Sequence, residues 1–257
     1  MRSASVGQQC VDCVGAGAQS TRPARTAFGG RPTAAAAVTW TLVAINVAVF
    51  LVTWVRPGIV NDLEMFGYAT YGGGAWHGVA AGEWYRLITA AFLAPATGLT
   101  GGLGIWDILF NMWALIFVGP SLEGLLGRWR FVVVYLLSAV GGNLMFYFLA
   151  PQNQPAVGAS GAIFGLFGAW FVVSRRLRLN TRQILGLIVL NLALSFWLHN
   201  IIAWQAHVGG LLTGALLTAV YAYAPRTNRT AVQVAATVGV VALIVVAILV
   251  RNGQLNP

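Results

Sequence analysis

Lysine is absent from this chain: all fifteen basic residues are arginines. A serine nucleophile activated by a lysine base is therefore excluded. Charged residues of either sign are scarce, at 8% against 58% hydrophobic, and the mean hydropathy is +0.75. A soluble domain carries about 25% charged residues, so this is an integral membrane protein with the bilayer as its solvent. The net charge of +9 would suit nucleic acid, but the arginines are distributed otherwise, and no nucleic-acid partner is expected. Cysteine is limited to Cys10 and Cys13, spaced C-x-x-C. That is half of a zinc site, and a closed structural site needs four ligands. The expectation is a free or redox-sensitive pair in a flexible tail, with no metal and no organic cofactor. Residues 1–36 also lack the short apolar core of a secretory signal. With Arg2, Arg22, Arg25 and Arg31 among many Ala, Gly, Ser and Thr, they read as a disordered tail.

What the chain has in quantity is apolar runs of bilayer length, about 20 residues each. They fall at 38–55, 105–124, 131–150, 160–174, 184–198, 201–224 and 231–250. Seven membrane helices are expected, an all-α polytopic fold. With the tail inside, twelve of the fifteen arginines lie in inside segments; only Arg56, Arg86 and Arg251 lie outside. The arginine bias sets orientation, so the N terminus is expected in the cytoplasm and the C terminus outside. The long loop 57–104 holds an aromatic, amphipathic stretch at 82–93, read as a short interfacial helix. Glycines at 72–74, 98, 101 and 102 would let this loop fold back.

In that topology the second, fourth and sixth runs all enter from the outside, and each carries polar residues early. The second has Asp107 and Asn111, four apart and on one face. The fourth opens with Ser160 in Gly158-Ala159-Ser160-Gly161, and the sixth holds His207 about two turns in. Ionisable groups at membrane depth are costly and by default functional. From Ser160 to Arg175 a helix rises only about 22 Å, against a hydrocarbon core of about 30 Å. Ser160 thus lies below the outer surface, and the loop 151–157 must dip inward to a water-accessible cavity. Of the three histidines, His207 matches Ser160 in depth and is the candidate base. Gly161, Gly165 and Gly168 on one run, and Gly210 and Gly214 in small-xxx-small spacing on the other, predict close packing of the two. Phe164, one turn below Ser160, is placed to pack on the imidazole. Oxyanion stabilisation would come from the Ser160 N–H and the Asn111 amide, with Gly158 keeping the approach open. For each of these residues plain helix packing is the competing reading.

These motifs together resemble the rhomboid family of intramembrane serine proteases over roughly residues 38–224. The resemblance rests on Glu83-Trp84-Tyr85-Arg86, Asn111-Met112, Glu123, Arg130-Phe131, Gly158-Ala159-Ser160-Gly161 and Ala206-His207-Val208-Gly209-Gly210. It implies a six-helix core at 37–225, an extra C-terminal membrane helix within 226–257, and a bacterial plasma-membrane location. It further implies a Ser160–His207 dyad that cleaves single-span or multi-span membrane proteins in the outer part of the bilayer, with Asn111 as oxyanion donor. Two positions depart from the family pattern. Asp107 stands where the family usually has an oxyanion-assisting His, and Ala94 where it has a second His. An ionised Asp107 would repel an oxyanion; a protonated one would donate to it, and a third role is as a triad member beside His207. The Cys10-x-x-Cys13 tail resembles the end of a small zinc-binding module that precedes some bacterial rhomboids. The alternative functions are a non-catalytic rhomboid-like protein that binds membrane helices, favoured by Asp107, and a transporter, which broken helices would suit.

Overall fold

A computed structural model describes residues 2–3, 7–20, 25–30, 35–70, 76–95 and 103–255. All seven apolar runs form helices: α2 (Ala37–Val55), α5 (Leu103–Leu126), α6 (Arg128–Leu149), α7 (Ser160–Arg176), α8 (Arg182–Trp197), α9 (Trp204–Tyr223) and α10 (Arg229–Leu255). Three short helices complete the set among the described residues: α1 (Val11–Ser20), α3 (Ile59–Leu63) and α4 (Arg86–Thr89). The protein is an all-α polytopic membrane bundle. Helices α2, α5, α6, α9 and α10 are long and apolar enough to cross a bilayer. Helices α7 and α8 are shorter, at 17 and 16 residues. Arg175 and Arg176 in the last turn of α7 suit the negative end of its dipole, and Arg178 at φ +59° turns the chain away.

Short α7 is the centre of the bundle. It packs on α5, α6, α8 and, most extensively, α9. Glycine makes that last interface possible. A Cβ at Gly210 would overlap the Gly161 carbonyl, one at Gly214 the Gly165 carbonyl, and one at Gly168 the Leu211 carbonyl. The two backbones touch where side chains would hold them apart. Around this seam Tyr135, Ala162, Leu166, Ala169, Leu217 and Tyr221 are fully buried.

The arginine-rich end of the bundle is held by buried polar groups. Glu123 at the foot of α5 accepts the Val38 N–H (3.1 Å), the Thr39 N–H (2.8 Å) and the Thr39 hydroxyl (2.9 Å), so a carboxylate fills the open first turn of α2. Arg128 Nε lies 3.9 Å from the same carboxylate. Arg130 on α6 donates from Nε to Gln233 of α10 (2.8 Å), and Gln233 donates to the carbonyls of Phe28 (3.2 Å) and Tyr221 (2.9 Å). One glutamine thus ties the tail, α6, α9 and α10 together.

The described parts of the tail carry short elements of secondary structure. Arg2–Ser3 (β1) pairs antiparallel with Gln8–Gln9 (β2), and α1 follows. Phe28 inserts into the core, with its segment pinned by Gln233 and Arg229. Burial of one aromatic side chain, worth about 2 kcal/mol, distinguishes these residues from a solvated tail. Cys10 and Cys13 are free and exposed. Hydrogen bonding by the Cys13 and Asp12 backbone holds the Cys10 thiol below its usual range.

The 57–104 segment is more built than a loop. Ala69–Thr70 (β3) pairs with Trp76–His77 (β4), and the amphipathic stretch resolves into α4 followed by a 3-10 turn at Ala90–Phe92. Trp84, Tyr85 and Ile88 face outward while Arg86 and Leu87 are buried, as an interfacial piece requires. The glycines at 72–74, 98, 101 and 102, with Arg22 and Arg31, lie outside the described residues.

Candidate active site

Two helix starts converge to make the site. The loop before α7 is held by backbone pairing: Met65 and Ala156 exchange hydrogen bonds of 3.0 and 2.7 Å, Gly67 and Tyr68 both donate to Gln152 O, and Gly158 donates to Ala90 O at 2.9 Å. This satisfies the irregular backbone from within the protein, as its depth demands. Gly158 has φ +135°, a region that favours glycine. A Cβ there would stand 3.5 Å from Ser160 Oγ and 3.9 Å from Asp107 Oδ2, filling the space between them.

Ser160 is the first residue of α7, and its hydroxyl shares a hydrogen bond of 2.8 Å with His207 Nε2. The contact crosses the glycine seam, 47 residues apart in sequence. His207 sits earlier in its helix than the apolar run suggested. Ile201 and Ile202 form a turn on Leu198 O, so α9 begins at Trp204 and His207 falls in its first turn. Phe164 stacks on the imidazole, with centroids 4.2 Å apart and planes at 13°. Face-to-face packing fixes the ring plane, and the buried His207 has little room to rotate.

Of the other histidines, His199 is exposed in the turn before α9 and contacts Phe196 O. His77 contacts Glu83 at 3.0 Å. Glu83 also accepts from the Gly78 N–H and from Arg86 Nε, both at 2.6 Å, and Arg86 donates onward to the Asn61 and Glu64 carbonyls. Burial pushes the Glu83 carboxyl up, but hydrogen bonds from His77, Arg86 and Gly78 outweigh it and hold the group below the usual carboxylate range. Glu83 and Arg86 therefore staple the segment that carries Ala90.

Asp107 and Asn111 share one face of α5 and line the same cavity as Ser160 and His207, a space of about 1140 Å³. The Asn111 side chain is buried, one turn along α5 from the Asp107 carboxyl. The imidazole's two nitrogens face Ser160 and Ser195, not Asp107. A triad of Asp107 with His207 is thereby replaced by a different arrangement. Ser195 of α8 contacts His207 Nδ1 at 2.7 Å and donates to Asn191 O at 2.6 Å. Sequence reading did not single it out. The available signal was Asn191 and Ser195, four apart on a short apolar helix.

At the start of α7 the amides of Ser160, Gly161 and Ala162 precede the first intrahelical bond, from Ile163 N to Ala159 O. They are donors without a helical partner, next to the Ser160 hydroxyl. The cavity walls are mostly apolar, with Trp106, Phe110 and Trp113 of α5 and Leu187 and Leu194 of α8, while Asn61, Glu64 and Gln154 add polar groups.

Comparison with known proteins agrees with this architecture. Residues 81–224, more than half of the chain, match the family model of the Rhomboid domain. The chain is 39% identical over 146 residues to the putative rhomboid protease YdcA of Bacillus subtilis (strain 168), covering 55% of this chain and 69% of that protein. It is 31% identical over 190 residues to the rhomboid protease GluP of the same organism, covering 72% of this chain and 34% of GluP. It is also 33% identical over 132 residues to RHOMBOID-like protein 9, chloroplastic, of Arabidopsis thaliana, covering 51% of this chain and 28% of that protein. The chain belongs to the rhomboid family. It spans about two thirds of the first of these relatives and about a third or less of the other two.

Proposed function

We propose that this chain is an intramembrane serine endopeptidase acting on transmembrane protein substrates. The observation that carries the reading is the 2.8 Å hydrogen bond from Ser160 Oγ to His207 Nε2 at the floor of an apolar cavity. Ser160 Oγ attacks the scissile carbonyl carbon while its proton passes to Nε2. The tetrahedral oxyanion is met by the free amide of Ser160 and by the Asn111 side chain. The imidazolium then gives its proton to the leaving amine, and water repeats the sequence on the acyl-enzyme. The apolar walls supplied by α5 and α8 suit an extended apolar segment drawn from the bilayer. The arginine bias supports a cytoplasmic N terminus, with the site in the outer half, and the two Bacillus relatives suit a bacterial plasma membrane.

Asp107 is the observation that favours the second reading, a non-catalytic helix-binding relative. An ionised carboxylate on the oxyanion side opposes the charge that develops there, and losing one donor costs on the order of 10²–10³ in rate. The deciding experiment is cleavage of a single-span substrate in liposomes, with Ser160→Ala as control. Cleavage abolished in the control supports the protease. Where no substrate is cut, labelling by a small fluorophosphonate decides: a labelled Ser160 supports the protease, and an unlabelled one supports the binding protein.

A further inference from the structure

The His207 imidazole has a second hydrogen bond, and its polarity can be read. Asn191 O is a carbonyl and only accepts, so the 2.6 Å contact from Ser195 Oγ consumes the Ser195 proton. Toward His207 Nδ1, 2.7 Å away, the Ser195 oxygen then acts as acceptor. Nδ1 must carry the ring proton, and Nε2 is left as a bare lone pair facing the Ser160 hydroxyl at 2.8 Å. That tautomer is the one a general base for Ser160 needs. The opposite tautomer would donate from Nε2 to Ser160 and could take no proton. The central pair is buried, with Ser195 2% exposed and His207 7% exposed, while Asn191 and Ser160 at the two ends are half-buried. Water is therefore a poor substitute for either partner.

We propose that Ser195 is a positioning residue that fixes the tautomer and orientation of His207 through the relay Asn191 O, Ser195 Oγ, His207 Nδ1. The inference rests on the protease reading above and deepens it. No proton moves to Ser195: when Ser160 transfers its proton to Nε2, the imidazolium keeps its Nδ1–H on the Ser195 oxygen. The relay takes the place that a carboxylate holds in a Ser-His-Asp triad, with a neutral hydroxyl polarised by a helix carbonyl. A neutral acceptor suits a buried apolar site, where a lone carboxylate would carry a large desolvation cost. The hydroxyl comes from α8, while the groups it serves sit on α7 and α9.

The test is Ser195→Ala beside Ser195→Thr, in full-length protein in detergent, with thermal unfolding as the folding control. A hydrogen bond to a group that becomes charged is worth about 1.5–3 kcal/mol, so Ser195→Ala should slow fluorophosphonate labelling of Ser160 and kcat about 10- to 100-fold. KM should stay constant, and the acid limb of the rate profile should move to lower pH as the imidazolium loses its acceptor. Ser195→Thr should restore most of the rate. Independently of activity, 15N spectra of the three histidines, with His207 assigned by difference from His207→Ala, should show a single Nδ1–H tautomer in the wild type and a mixture in Ser195→Ala. An Nε2–H or mixed tautomer in the wild type, or a Ser195→Ala protein with unchanged spectrum and labelling rate, would overturn the relay. Wild-type protein that neither cleaves nor labels defeats the protease reading instead, and the spectra still decide the relay.

Discussion

The two ends of the bundle bury polar groups for different purposes. At the arginine-rich end two buried side chains, Glu123 and Gln233, are each bonded to several partners. Glu123 satisfies three donors of α2, and Gln233 joins Arg130, Tyr221 and Phe28. At the Ser160 end a chain of polar groups, Asn191 to Ser195 to His207 to Ser160, ends open on a cavity. A closed network converts burial into stability; an open chain keeps one reactive atom exposed to a substrate. The contrast says which residues should cost stability when changed and which should cost only chemistry.

The largest separation is expected from Ser160→Ala and His207→Ala. Each should abolish cleavage while leaving the thermal unfolding midpoint close to that of the wild type, measured in the same detergent. Persistent cleavage in either would remove the dyad. The mirror experiment is Glu123→Ala. It strips three donors, two of them buried, of their acceptor and should lower stability by about 2–4 kcal/mol, read by chemical unfolding, while the folded fraction keeps its specific activity. A loss of activity at unchanged stability would show that the two ends are not separable. A smaller effect is expected from Asp107→His. Replacing a carboxylate by a donor next to Ser160 should raise kcat severalfold in a cleavage assay with no change in unfolding; a fall would give Asp107 a role of its own.

The smallest effect falls on the segment that bridges the two regimes. Glu83 is held below the usual carboxylate range by His77, Arg86 and Gly78. Its stabilisation is therefore fully present above the unfolded value, about 4.3, and is lost as pH falls through the depressed folded value. Protection of 77–90 against hydrogen exchange, taken relative to the intrinsic rate at each pH, should fall in that acid window before that of the α7–α9 seam. Glu83→Gln should remove that pH dependence of the protection.

Much of the site was legible beforehand. Ser160 and His207 were paired by depth, Gly210 and Gly214 by spacing, and Phe164 by its place one turn below Ser160. These are local periodicities measured against the thickness of a bilayer. Ser195 was not legible, because a serine four residues after an asparagine on an apolar helix looks the same whichever neighbour it faces. The docking of Phe28 was hidden for a related reason: one aromatic in a polar tail gives no periodic signal. The start of α9 was misplaced by three residues because Ile201 and Ile202 continue the apolar run through a turn.

The sequence by itself determined the membrane class, the seven helices and the candidate nucleophile and base. Hydrophobic length and small-residue spacing act within a segment, and a chain shows them before it folds. Only the tertiary structure decided that both nitrogens of His207 belong to serines, that Asp107 stands aside with Asn111, and that Gln233 bolts the tail and α10 to the core. The His207 and Gln233 contacts join residues 12 to 205 positions apart, and no local pattern says which helix faces will meet.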